Sequence, residues 1–336
     1  MTVLVTGGAG YIGSHMVLAL VDAGEDVVVI DNLSTGFWWA VAPRAKLVEG
    51  DIGDADFLNR LMVEHKFDAV VHFAGSIIVP DSVRDPLGYY LNNTVKSRVV
   101  MGCAVKAGIP RFIFSSTAAI YGNPLTQPVF ETATPAPISP YGTSKLMTEW
   151  MLRDTHEAHG LNYVALRYFN VAGADPKGRS GQSTPRATHL IKVACQTALG
   201  QRESMDVFGI DYETPDGTCL RDYIHVSDLI SAHMDALSHL RRGGESGVFN
   251  CGYGKGYSVL EVIRAVEKAF GGPIKANVAA RRAGDPAAIV AGADRVKAIL
   301  GWKPKFNDLD TIVASALAWE NHLSRRNSNC ETEPVP

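Results

Sequence analysis

No stretch of the chain is apolar over the roughly 20 residues that a membrane-spanning helix requires, so residence in a bilayer is not expected. Basic residues are not in excess: 32 Lys and Arg stand against 35 Asp and Glu, a net charge of −3. Without a positive footprint, neither nucleic acid nor an anionic membrane surface is expected as the main partner. Cysteine is scarce, with five scattered at Cys103, Cys195, Cys219, Cys251 and Cys330 and no Cys-x-x-Cys pair. That odd, dispersed set offers neither a disulfide framework nor zinc-ligand spacing and fits reduced thiols in a cytoplasmic protein. His225, His233 and His239 also lack acid or cysteine partners at ligand spacing, so no metal is expected. Internal repeats and low-complexity segments are missing, and with a strand beginning almost at the first residue no secretory leader is expected.

What is present points to a globular α/β protein. Apolar residues make up 46% and charged residues 20% of 336, enough for a sizeable core. Val3, Leu4 and Val5 form an apolar run of the kind seen in buried parallel strands. Gly7, Gly10 and Gly13 follow at three-residue spacing, and 14–22 reads as a helix. In a strand–turn–helix unit, Gly7 permits the tight turn, Gly10 admits a pyrophosphate and Gly13 lets helix and strand pack closely. The helix N-terminus then offers free N–H groups to phosphate. Such a turn alone would serve any βα crossing. A second strand at 27–30 ends in Asp31, 24 residues past Gly7, where a carboxylate can accept from ribose hydroxyls and repel a 2′-phosphate. NAD is therefore expected rather than NADP.

A third strand at 47–51 ends in Asp51-Ile52, placing a second acid within reach of an adenine amino group. A fourth at 69–75 runs into the small-residue turn Ala74-Gly75, leaving room for a ligand. His72 within it reads as a core histidine. Residues 86–107 read as one helix and 111–116 as a fifth strand, followed by Thr117. The adjacent Trp38 and Trp39 stand in the loop after Asp31 with no role that the sequence explains. The alternation continues to about residue 175 and implies a doubly wound parallel sheet of the Rossmann type, with ligands at the carboxyl ends of its strands.

Tyr141 and Lys145 form the only Tyr-x-x-x-Lys in the chain, at the head of a run of good helix formers. Four residues apart on a helix, they share a face. A phenol with a pKa near 10 is too weak a base at neutral pH. A lysine cation one turn away and an oxidised nicotinamide would both stabilise the phenolate, which could then remove a hydroxyl proton as hydride leaves the same carbon.

Taken together, Thr6 to Gly13, Asp31, Asp51-Ile52, Thr117 and Tyr141-x-x-x-Lys145 resemble the extended short-chain dehydrogenase/reductase family over nearly the whole chain. Within it the chain is most similar to the UDP-glucose 4-epimerases. Gly7-Gly-Ala-Gly-Tyr-Ile-Gly-Ser-His15, His72-Phe-Ala-Gly75, Ser115-Ser-Thr-Ala-Ala-Ile-Tyr-Gly122, Arg167-Tyr-Phe-Asn170, the segment from Asp216 to Val226, and Arg281-Arg-Ala-Gly-Asp285 carry that similarity. The resemblance implies Tyr141 as base, Lys145 as its orienting cation and Thr117 on the reacting hydroxyl. It implies Tyr11, Ile12, Asp31, Asn32, Asp51, Ile52, Phe73, Ala74, Gly75, Asn92 and Phe169 around NAD, and Asn170, Leu190, Phe208, Arg221, Arg282 and Asp285 around a nucleotide-sugar. His189 stands where a substrate-binding asparagine is common. Two arginines suit a diphosphate, an aromatic ring suits uracil and an acid suits ribose. Two further positions stand out: Ile77 replaces a lysine that reaches the cofactor, and Ile289 occupies a place that influences acceptance of N-acetylated sugars.

The implied reaction inverts carbon 4 of UDP-glucose or UDP-galactose through a transient 4-keto sugar. A 4-epimerase of UDP-N-acetylglucosamine or UDP-glucuronate is the alternative, with a non-catalytic NAD-sensing protein behind it. Ala118 and Ala119 follow Thr117 where a dehydratase needs an acid. The resemblance also implies a homodimer paired through 86–107 and 141–155.

After about residue 178 the alternation weakens. Helices are expected at 188–199 and 259–270, a loop at 206–216 with Phe208 and Gly209 at a uracil pocket, and an N-cap at Ser227-Asp228 for a helix through His239. The stretch 248–251 is expected to return to the sheet, and 330–336 to fray. The division is thus a cofactor domain over 1–177 and a smaller mixed α/β substrate lobe over 178–336, with segments near 220–252 returning to the first.

Overall fold

The computed structural model describes residues 1–184, 188–282 and 285–330, with side chains through residue 326. The first half alternates strand and helix: β1 (Thr2–Thr6), α1 (Tyr11–Asp22), β2 (Asp26–Asp31), β3 (Lys46–Glu49), α2 (Ala55–His65) and β4 (Ala69–His72). Then come α3 (Val79–Arg84), α4 (Pro86–Tyr89), α5 (Lys96–Lys106), β5 (Arg111–Thr117), α6 (Pro140–His159), β6 (Asn162–Tyr168) and β7 (Asn170–Ala172). The second half runs α7 (Leu190–Ala198), β8 (Met205–Phe208), β9 (Leu220–His225), α8 (Val226–Arg241), β10 (Gly247–Cys251) and β11 (Gly256–Ser258). It closes with α9 (Val259–Phe270), β12 (Ala276–Ala279), β13 (Ala288–Ile289), α10 (Asp294–Leu300) and α11 (Leu309–Cys330).

Seven strands form one parallel sheet in the order β10-β6-β5-β4-β1-β2-β3. The continuous apolar runs follow from burial on both faces. Val3, Val5, Val27 and Val29 pack with α1 and α8 on one side, while Leu4, Val28, Ile30 and Val70 pack with α2 and α5 on the other. This is the doubly wound α/β fold that the alternation implies. A smaller body carries β11-β9-β13 with β7 beside β9, the pair β12–β8, and a core of α7, α9 and α11. α8 packs against β5 and β6, and β10 pairs with β6, so the chain does cross back to the large sheet.

Several local expectations need correction. α1 begins at Tyr11, three residues ahead of the expected 14, because the glycine turn feeds directly into it. The run at 86–107 is interrupted by a π-helical turn, Tyr90–Val95, which turns Asn93 inward. Residues 206–208 of the expected loop belong to strand β8, held by parallel pairing with β12. Helix α7 starts at Leu190, two residues late. The cap of α8 is His225, whose Nδ1 accepts from the Ser227 amide at 3.1 Å. Asp228 is instead buried and accepts from Tyr253 Oη at 2.6 Å and from the Lys305 and Phe306 amides at 2.8 Å. α9 keeps its expected bounds, fixed by a capping box between Ser258 and Glu261. Residues 331–336 of the expected frayed tail lie outside the described residues.

Candidate active site

The expected cofactor end centres on the β1–α1 turn. Gly7 sits at φ +71, and a Cβ there would lie 2.6 Å from the Ala74 amide nitrogen. A Cβ on Gly13 would lie 2.1 Å from the Gly7 carbonyl oxygen, so this glycine brings helix against strand. Gly10 meets only the Gly7 carbonyl oxygen, at 3.3 Å, and caps α1 with no side-chain bond, leaving the first-turn N–H groups of Tyr11 and Ile12 to an incoming anion. Asp31 accepts from the Ala9 amide and the Leu33 amide, both at 2.9 Å, locking turn to loop. Burial pushes its carboxyl up and these two bonds oppose the rise. Asn32 is exposed and its side chain accepts from Ser34. Asp51 accepts from Lys96 Nζ at 2.6 Å and the Gly53 amide at 2.7 Å, beside buried Ile52. The shape of this cradle and the placement of the acids fit a dinucleotide.

Across the turn, the Phe73 and Ala74 amides donate to the Thr6 carbonyl. His72 is a core histidine: its Nδ1 lies 2.6 Å from Thr6 Oγ1 and its Nε2 2.8 Å from Ser97 Oγ, and burial holds it neutral with a pKa of about 3. Asn92 donates to Ser76 Oγ at 2.9 Å. Phe169 packs between the main core and the cluster around Tyr121.

The expected reacting groups lie on α6 and β5. Ser139 caps α6 and Pro140 opens it, which sets Tyr141 in the first turn and Lys145 one turn on. Both are buried, as is Thr117 at the end of β5, which is hydrogen-bonded to Tyr141. Lys145 Nζ donates to the Ser115 carbonyl at 2.9 Å and lies 4.9 Å above the Phe114 ring. Burial lowers Lys145 to about 8. The Tyr141 phenol is pushed up by burial, with the Thr117 bond opposing. Of the two cations expected to stabilise the phenolate, the lysine by itself does not offset burial. Its ammonium is engaged by a backbone carbonyl, in a site where desolvation dominates.

Three supports escaped the sequence reading. Asn93 accepts from the Ser76 amide at 2.7 Å and donates to Ser144 Oγ at 3.1 Å, joining the β4 turn to α6. Ser115 supplies the lysine's acceptor through its backbone, for which sequence carries no signal. Glu149, buried four residues past Lys145, binds Arg167 through contacts of 2.6, 3.0 and 3.2 Å and also accepts from Ser116. Its helical spacing from Lys145 was the available clue.

The expected substrate residues fall in two groups. Tyr11, Asn170, His189 and Leu190 line one cavity with Gln182 and Lys192. His189 caps α7 and, lowered by burial, stays neutral near neutral pH. Phe208, Arg221, Arg282 and Asp285 form the second group. The Arg282 guanidinium lies 3.7 Å over the Phe208 ring, and Arg221 lies 3.6 Å from Asp285 while donating to the Pro286 carbonyl at 2.8 Å. Residues 283 and 284 of the Arg281–Asp285 motif are outside the described residues. Ile289 is buried on β13 beside Arg221, and Ile77 is exposed. Among the described residues no group of three or more His, Cys, Asp or Glu is placed to hold a metal ion, and no helix is long and apolar enough to cross a membrane.

Comparison with known proteins agrees with this geometry. The model of the NAD dependent epimerase/dehydratase family matches residues 3–252. A UDP-glucose 4-epimerase of Azospirillum brasilense is 60% identical over 96% of this chain and 93% of its own length. The structure of UDP-glucose 4-epimerase from Brucella ovis in complex with NAD superposes with a TM-score of 0.92 at 44% identity, over 94% of this chain and 97% of that one. That of the Bifidobacterium longum enzyme in complex with NAD+ and UDP gives 0.91 at 39% identity, over 96% and 98%. With its glycine cradle, its strand-end acids and its buried tyrosine–lysine pair, the chain belongs to the NAD-dependent epimerase/dehydratase family.

Proposed function

We propose that this chain is an isomerase that interconverts UDP-glucose and UDP-galactose by inverting carbon 4, with NAD as its cofactor. The observation that carries the reading is the burial of Tyr141 and Lys145 on one face of α6, against Thr117 and Ser115, at the carboxyl end of the sheet that bears the glycine cradle. When bound, NAD supplies a hydride acceptor and donor at the sugar carbon. Tyr141 removes the proton from the 4-hydroxyl, and Thr117 holds that hydroxyl and the phenol together. Lys145 fixes α6 on β5 and keeps a positive charge beside the cofactor turn. Because burial raises the phenol, its ionisation relies on an oxidised nicotinamide as well as on the lysine. Gly7, Gly10, Tyr11, Ile12, Gly13, Asp31, Asn32, Asp51, Ile52, Phe73, Ala74, Gly75, Asn92 and Phe169 hold the dinucleotide. Asn170, His189, Leu190, Phe208, Arg221, Arg282 and Asp285 hold the UDP-hexose, with the two arginines on the diphosphate.

The division of labour follows: residues 1–177 carry the cofactor and 178–336 mainly the sugar nucleotide, with α8 and β10 returned to the first part. A cytoplasmic location suits both ligands. A homodimer suits the apolar stripe on the helices flanking the site, where Val83, Leu87, Leu91, Val95 and Trp150 are all exposed.

The test is incubation of purified protein, without added NAD, with UDP-galactose, UDP-N-acetylgalactosamine and UDP-glucuronate. Conversion of UDP-galactose is expected, with the N-acetyl arm reporting on Ile289. Tyr141→Phe should keep NAD and lose turnover; unchanged turnover would sink the mechanism.

A further inference from the structure

Trp39 has a partner that is distant in sequence. It sits in a 3₁₀ turn, Trp38–Ala40, within the loop that leaves Asp31. That loop lies on the glycine turn: the Phe37 amide donates to the Ala9 carbonyl at 2.9 Å, and the Ala9 amide donates to Asp31. The Trp39 ring is held on several sides. Its centroid is 5.0 Å from Phe37 and 6.5 Å from Trp319 of α11, and the Arg326 guanidinium lies 3.9 Å over it. Trp319 is itself buried against Gly181 and donates to Ser183 Oγ at 3.3 Å. The next residue, Glu320, is buried and binds Lys192 of α7 at 2.6 Å and Gln196 at 3.3 Å. One helix therefore grips the cofactor loop with Trp319 and Arg326, and the helix below His189 and Leu190 with Glu320.

We propose that Trp39, Trp319 and Arg326 form a clasp that positions the 33–41 loop on the glycine turn and thereby slows release of NAD. An aromatic contact and a cation over a ring each contribute modestly, and their joint loss frees the loop rather than the fold, whose core lies elsewhere. Trp38, 68% exposed one residue away, takes no part and serves as the control. Trp39, Trp319 and Arg326 are positioning residues in this scheme; none touches the reacting atoms.

The inference rests on NAD being the cofactor. The experiment loads wild-type and variant proteins with radiolabelled NAD, passes them through gel filtration and follows label loss in an excess of unlabelled NAD. Trp39→Ala should release NAD at least about tenfold faster than wild type, Trp39→Phe should recover most of the retention, and Trp38→Ala should match wild type. Arg326→Ala, at the surface end of the clasp, should release faster by a smaller factor, and it keeps the test open if Trp39→Ala does not fold. Wild-type release from both Trp39→Ala and Arg326→Ala, or equal acceleration in Trp38→Ala, overturns the clasp. A wild-type protein that binds no NAD overturns the functional reading and the clasp with it.

Discussion

Lys145 Nζ lies 2.9 Å from the carbonyl oxygen of Ser115, so the helix that bears the phenol and the strand that ends in Thr117 are joined by a side chain only 3% exposed. A cation at that depth is held by one carbonyl and one aromatic face, and its charge is costly.

The cost has a pH signature. Burial lowers Lys145 from 10.5 to about 8, so the fold favours the neutral amine. The stability it contributes is complete above pH 10.5 and is lost as pH falls through about 8. Compared with Lys145→Met, wild type should gain about 3 kcal/mol of unfolding free energy between pH 8 and 10.5, with a flat difference below that window. Urea unfolding of both proteins at stepped pH measures it. Turnover of Lys145→Met should fall by at least about 100-fold.

Thr117 opposes the rise of the phenol. Thr117→Val should lower kcat by about 10- to 100-fold and move the pH–rate profile to higher pH, because the phenol loses its one opposing bond. Thr117→Ser should restore most of both. A profile unmoved by the valine would contradict the assignment.

Glu149 and Arg167 are a buried pair, 4% and 6% exposed. Glu149→Gln leaves the guanidinium without its counter-charge and should destabilise by about 3 kcal/mol or more, whereas Glu149→Gln with Arg167→Met should be milder than the sum of the singles. Chemical denaturation of the four proteins forms the cycle.

At Gly7 two penalties coincide, a left-handed backbone and a Cβ 2.6 Å from the Ala74 nitrogen. Gly7→Ala should lose at least about 2 kcal/mol of stability and retain little NAD, measured by thermal melting and by the absorbance ratio of the purified protein.

Leu87 is 78% exposed within the apolar stripe. Leu87→Glu with Leu91→Glu should move the native mass from two chains to one while leaving the circular dichroism unchanged. A wild type already running as one chain would remove the dimer.

The parts readable in the sequence were those with local periodicity. The β1–α1 unit, the parallel alternation, the helical register of Tyr141 with Lys145 and the return of 248–251 all leave patterns within a dozen residues. The parts that were not depend on partners far along the chain. Nothing near Asp228 reveals that its carboxylate is needed by the amides of 305 and 306, and a Ser-Asp pair before a helix reads as a cap. The π-helical turn that buries Asn93 has the composition of ordinary helix. β8 is strand because β12 lies beside it, 71 residues later in register from Met205 to Ala276. Trp39 looked unemployed because Trp319 and Arg326 stand near the other end of the sequence.

The last strand of the large sheet has a consequence for biosynthesis. β10 pairs with β6, yet all of 169–246 is translated between them. While the polypeptide leaves the ribosome, β6 is an unpaired sheet margin until residue 251 has emerged, and α8 reaches its place over β5 and β6 only shortly before. The large sheet therefore cannot close until residue 251 has been made. A fragment ending at 177 would carry an open edge at β6 and a bare apolar face where α8 packs.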